Sequence, residues 1–117
     1  MKTKSDIIIS YPEIFPDPFG FECSDGWNDL IDKLCQAIIE KCQAEGWPFP
    51  IATQVKEKFG ELRFYTHGTQ DEIYDIIDRA TVLSRHICEV CGQPGETRLI
   101  GHWLRTTCEL HSGDNDA

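Results

Sequence analysis

Apolar residues recur at helical spacing through Trp27, Leu30, Ile31, Leu34, Cys35, Ile38, Ile39 and Cys42, an unbroken one-face stripe that predicts a long amphipathic helix. Ser24 or Asp25 stands where a cap is wanted, and Gly46 followed by Pro48 closes the pattern. A second stripe, Ile73, Ile76, Ile77, Ala80 and Leu83, follows Thr69-Gln70-Asp71-Glu72, whose T-x-x-E spacing predicts a capping box. Asp71, Asp75 and Asp78 share the polar side of this helix. Between the stripes, Ile51 to His67 reads as a β-hairpin turning at Gly60-Glu61, with glycine first as a type II′ turn prefers. Phe59 then opposes Leu62, Glu57 opposes Phe64 and Val55 opposes Thr66, which collects a largely apolar set on one face. Lys56, Lys58, Arg63 and Tyr65 fall on the other. Ahead of the first helix, residues 1–6 read as a frayed tail and Ile7 to Tyr11 as a short strand stopped by Pro12. Pro16, Pro18 and Gly20 then mark a turn-rich segment anchored by Phe15, Phe19 and Phe21.

The C-terminal stretch follows a different logic. Cys88-x2-Cys91 is answered by Cys108-x2-His111, two ligand pairs at the spacing a tetrahedral Zn²⁺ site uses. Gly92 supplies the backbone freedom of the first knuckle, and Glu96–Ile100 with Trp103–Thr107 predict a connecting hairpin around Gly101-His102. His102 then sits at the tip, and Trp103 either packs on the metal core or is displayed. His86 is a rival fourth ligand, but its spacing is poor beside that of His111. Four protein ligands saturate zinc, so the expected role is structural rather than catalytic. Cys35 and Cys42 belong to the helical stripe and read as core residues. Cys23 lies in a loop with no neighbouring base to make it a nucleophile. The domain organisation expected is an α+β core over 1–86, a zinc-binding module over 87–112 forming one compact unit with it, and a disordered tail over 113–117. The fold class is α+β: two helices packed on a small antiparallel sheet, with a zinc-ribbon or treble-clef-like module at the C-terminus.

Composition narrows the function. A formal net charge of −9 on 117 residues has the wrong sign for a protein that grips phosphate backbones, so direct nucleic-acid binding is not expected. An acidic surface suits a basic or nucleic-acid-binding protein partner. The basic face Lys56, Lys58 and Arg63 with Tyr65 reads either as a phosphate grip or as a solvated sheet face neutralised by neighbouring acids. The Asp71, Asp75, Asp78 stripe reads either as a phosphate mimic or as an ordinary helix surface. No apolar run reaches the roughly 20 residues of a bilayer span, no signal peptide is expected, and the knuckle spacing of the cysteines points to a reducing, cytoplasmic setting. There is no Walker loop, nucleophile elbow or H-E-x-x-H, so no catalytic residue is assigned and an enzyme is not expected.

Val55-Lys56-Glu57-Lys58-Phe59-Gly60-Glu61-Leu62-Arg63-Phe64-Tyr65, followed by a helix, by C-E-V-C-G-Q-P-G and by W-L-R-T-T-C-E-L-H, resembles a family of small uncharacterised zinc-finger proteins encoded by bacteriophages and prophages. The likeness spans residues 25–111 and implies a mobile-element accessory protein. Cys88 to Leu99 is also similar to the finger of DksA/TraR-type transcription regulators, although the last ligand here is His111 and their coiled coil is missing. By analogy with small acidic phage proteins such as anti-CRISPR inhibitors, the resemblance implies a non-enzymatic inhibitor that contacts a host defence or nucleic-acid-processing protein. Asp71, Asp75, Asp78, Lys56, Lys58, Arg63 and Trp103 are the candidate contact residues. The alternative is a zinc-finger regulator that binds nucleic acid or RNA polymerase.

Overall fold

The structure, a computed structural model, describes residues 2–112, so the tail expected over 113–117 lies outside the described residues. The chain is α+β, with three α-helices and two small sheets among the described residues.

The N-terminal stretch is not a tail and a strand but a helix, α1 (Lys4–Ser10). Thr3 Oγ1 accepts from the Asp6 amide at 3.1 Å while the Asp6 carboxylate accepts from the Thr3 amide at 3.1 Å. This reciprocal cap satisfies two otherwise orphaned donors and overrides the β preference of the isoleucine triplet. Only Ile7 of the three is buried, as helical spacing dictates. The Asn28 side chain donates to the Lys2 carbonyl and Tyr11 Oη donates to Asp32 at 2.8 Å, so α1 is tied to the next helix from both ends.

That helix, α2 (Asn28–Glu45), carries the predicted stripe: Leu30, Ile31, Leu34, Cys35, Ile38 and Cys42 are buried and Ile39 partly so. Neither predicted cap residue acts by its side chain. Instead a 3₁₀ turn over Asp25–Trp27 runs directly into the helix and buries Trp27 beneath it. Gly46, at φ 71°, ends the helix in the left-handed conformation, its N–H returning to the Cys42 carbonyl.

The hairpin of β2 (Ile51–Lys58) and β3 (Glu61–His67) turns one residue earlier than expected: Lys58 pairs with Glu61, Glu57 with Leu62 and Val55 with Phe64. The turn residues are Phe59 at φ 54° and Gly60 at φ 80°, both left-handed as in a type I′ turn, so the predicted Gly60-Glu61 turn is wrong. Because pairing slips by two residues, Val55, Glu57, Leu62 and Phe64 keep their predicted face, whereas Phe59, expected opposite Leu62 on that face, is in the turn and exposed. Val55, Leu62 and Phe64 are buried, and Lys56, Arg63 and Tyr65 lie opposite. A short strand β1 (Phe21–Glu22) adds in parallel to β2, an element the turn-rich reading missed. Phe15 packs between Phe19, Phe21 and Phe64 with ring centroids 5.1 to 6.1 Å apart, so the aromatic segment does wrap the core.

Helix α3 (Asp71–Ser84) buries Ile73, Ile77 and Ala80 against the sheet and α2. Two expectations fail here. The predicted cap Thr69 bonds its hydroxyl to Thr66 rather than to the helix, and Leu83 is 54% exposed while Ser84 is fully buried. Ser84 Oγ accepts from the Leu62 amide at 2.9 Å and donates to the Thr81 carbonyl at 2.6 Å. A sheet-edge donor thus selects a hydroxyl where the periodicity asks for a hydrocarbon.

Candidate metal centre

Helix α3 delivers the chain into a tight knuckle. Cys88 N donates to the Gln93 carbonyl at 2.7 Å and Gly92 N donates to the Cys88 carbonyl at 2.9 Å. Gly92, at φ 82°, closes this turn in a conformation a side chain would strain, and thereby aims Cys88 and Cys91 at one point. The strands β4 (Glu96–Ile100) and β5 (Trp103–Thr107) pair as expected around Gly101-His102, from Ile100 opposite Trp103 to Glu96 opposite Thr107. At the end of β5, Cys108 precedes a 3₁₀ turn, Glu109–His111, which swings the His111 ring back towards Cys88.

Cys88, Cys91, Cys108 and His111 come together with all four donor atoms within 4.8 Å of one another. A tetrahedral ion with metal–sulfur bonds of about 2.3 Å and a metal–nitrogen bond of about 2.0 Å needs sulfurs about 3.8 Å apart and sulfur–nitrogen pairs about 3.5 Å apart. Cys91 Sγ and Cys108 Sγ lie 3.7 Å apart, and His111 Nδ1 lies 3.7 Å from Cys88 Sγ and 3.2 Å from Cys108 Sγ. Two of these separations match a tetrahedral ion and the third is a few tenths of an ångström short, so the four donors could hold one metal ion, with the imidazole offering Nδ1. Burial alone raises the Cys88 thiol, but hydrogen bonds from the backbone at Cys108, Cys91 and Val90 outweigh it and bring it down to about 6. A thiolate is the metal-binding form, so the backbone prepares this ligand.

The knuckle is built into the core. Trp27 Nε1 donates to the Ile87 carbonyl at 2.9 Å, Gly26 N donates to the Glu89 carbonyl at 2.7 Å, and Glu89 N donates to the Thr106 carbonyl at 3.0 Å. Thr106 Oγ1 also donates to the Gly60 carbonyl, fastening β5 to the first hairpin's turn. His86 stays outside the ligand group, its backbone held by the Leu83 and Gly95 bonds. All six cysteines are free; Cys35 and Cys42 lie in the core, and burial pushes the Cys23 thiol up to about 11, so none of these three is a poised nucleophile.

The contact candidates scatter. Asp71, Asp75 and Asp78 are exposed along α3. On the sheet's outer face, Glu61 neutralises Arg63 at 2.7 Å and Arg85 at 2.7 Å, the Arg63 approach being off the hydrogen-bonding axis. Lys58 lies over the Phe59 ring at 5.6 Å, and Trp103 is displayed, 75% exposed. The face is therefore less basic than its sequence. Sequence reasoning missed the cleft where the two hairpin tips meet, lined by Glu57, Lys58, Phe59, Glu89, Trp103 and Arg105. Burial raises the Glu89 carboxyl, and the Glu57 charge adds to that, against an opposing bond from the Ser24 amide. Glu89 could have been suspected, since it sits between two ligands where a knuckle exposes little. No protein-family model, curated protein or solved structure matches the chain. No helix among the described residues is long and apolar enough to cross a membrane.

Proposed function

We propose that this chain is a small acidic zinc protein that acts by contact and not by catalysis, as a mobile-element accessory protein that inhibits a basic host defence or nucleic-acid-processing protein. The single observation behind it is the closed Cys88, Cys91, Cys108, His111 set. Three thiolates and an imidazole are a soft donor set suited to Zn²⁺, and with four protein ligands no position is left for a substrate or an activated water. When bound, zinc supplies a cross-link and no chemistry beyond it. The knuckle, hairpin and terminal 3₁₀ turn support a treble-clef-like reading of the module more than a zinc ribbon, because the second ligand pair sits at the start of a helical turn.

The chain's own residues then do the recognising. Asp71, Asp75 and Asp78 offer an acidic stripe on a rigid helix, and the net charge of −9 steers a basic partner towards it. The regulator alternative loses weight from the pairing of Arg63 with Glu61. Native protein should contain one zinc per chain by elemental analysis, and zinc-loaded protein should retain a basic protein from bacterial lysate that an Asp75→Lys, Asp78→Lys variant releases. Metal-dependent cleavage of DNA or RNA, or retardation of nucleic acid with a steep salt slope, would sink the contact reading.

A further inference from the structure

We propose that the cleft between the two hairpin tips is a receptor for an arginine side chain of the protein partner; this rests on the reading that the chain acts by protein contact. The cleft holds about 690 Å³ and is walled by two displayed aromatic rings, Phe59 at 63% exposure and Trp103 at 75%. Phe59 is a costly choice for its position. It is the one non-glycine residue with positive φ among the described residues, in a turn whose geometry prefers asparagine or glycine. A bulky ring held in a strained turn and turned outward is explained by what it touches there, not by the stability of the hairpin.

Two acidic residues, Glu57 and Glu89, are part of the lining. Glu89 is 6% exposed; one carboxylate oxygen accepts from the Ser24 amide at 3.3 Å, and the other has Arg105 Nη2 only at 3.9 Å. Glu57 likewise commits one oxygen, to the Gly60 amide at 2.8 Å, and the other has no hydrogen-bond donor among the described residues. Two underused acceptors between aromatic walls match a guanidinium: its planar fork donates in two directions while its faces stack on rings. A lysine ammonium offers neither plane nor fork. A nucleic-acid phosphate would meet the two carboxylates head on. Two resident cations compete for the seat without filling it: Arg105 is too far from Glu89 for a hydrogen bond, and Lys58 Nζ lies 5.6 Å from the centre of the Phe59 ring.

The test uses full-length, zinc-loaded protein and N-acetyl-arginine-amide as the probe, followed by amide and indole NMR shifts. The Trp103 indole and the amides of Phe59 and Glu89 should move, with a dissociation constant on the order of 1 mM for so small a ligand, at least threefold tighter than for the blocked lysine and with no response to blocked citrulline. Arg105→Gln should tighten the probe severalfold by removing one competitor. Phe59→Asn should weaken it at least fivefold while raising the thermal midpoint, because asparagine before Gly60 suits the turn, which separates lost binding from lost folding. Equal response to citrulline, shifts confined to other surfaces, no effect of either variant, or movement of the same signals by oligo-dT or by protein concentration alone would overturn the proposal. Partner capture that survives Phe59→Asn while arginine binding is lost would also remove the cleft from the function, leaving contact by the acidic helix intact.

Discussion

Gly26 illustrates how a single hydrogen can hold two parts of a chain together. A Cβ built there would lie 2.1 Å from the Cys88 carbonyl oxygen and 2.4 Å from the Glu89 carbonyl carbon, both backbone atoms that cannot rotate away. Gly26→Ala must therefore push the first knuckle off the 3₁₀ turn, breaking the Gly26–Glu89 bond and the Trp27 indole bond with it. The expected loss is about 3 kcal/mol or more in urea denaturation, at the upper end of overpacking costs, together with weaker metal retention against a chelator. Gly20, with nothing within 4 Å of its notional Cβ, is the control: Gly20→Ala should leave the midpoint unchanged or slightly raised. An unchanged midpoint for Gly26→Ala would mean that knuckle and turn are not in this contact. The ligands Cys88, Cys91, Cys108 and His111 were legible because their spacing is local and their residue types are rare outside such a purpose. Gly26 was not, because the atoms that require it lie more than sixty residues away.

At the level of elements, legibility followed the length of the pattern. Helix α2 repeats its apolar face over four turns and was read correctly in its face and its C-terminal stop. Helix α1 has two turns, too few for a period to show, and its Thr3–Asp6 cap decided against the strand that Ile7-Ile8-Ile9 suggested. Apart from Phe59, which the turn exposes, the hairpin's faces follow its periodicity while its register does not, since periodicity fixes only parity and the glycine occupies the turn's second position, not its first. The end of α3 failed for a chemical reason: the Leu62 amide needs an acceptor, and Ser84 supplies it from inside the core. Ser84→Ala should cost about 1–3 kcal/mol, the range for leaving a buried donor unpaired, and should speed hydrogen exchange at the Leu62 amide above all others in β3. Exchange that stays slow at Leu62 would show that the hydroxyl is replaceable. Leu83→Ala, one residue earlier but exposed, should cost well under that amount.

For the molecule as a whole, the burial of four weak acids sets a limit on stability at high pH. Burial holds the Cys35 and Cys42 thiols above their ordinary range, pushes Cys23 up to about 11, and, with the Asp32 carboxylate, raises the Tyr11 phenol. In each case the folded chain keeps its proton more tightly than the unfolded chain does, whose thiols ionise at about 8.5 and phenols at about 10. The stability tied to these protons is complete below the unfolded values and drains away as pH rises towards the folded ones. The urea midpoint should accordingly hold steady to about pH 8 and fall progressively from about pH 9. Metal binding acts in the opposite sense, because deprotonated thiols bind an ion more tightly, so an alkaline decline cannot be charged to the metal centre. Cys35→Ala should lower the midpoint at neutral pH by opening a cavity, yet make its alkaline fall shallower, and Tyr11→Phe should flatten the part above pH 10. Were the fall equally steep in the double variant, the protons responsible would lie elsewhere, and the core over α1 and α2 would have to admit water at those side chains.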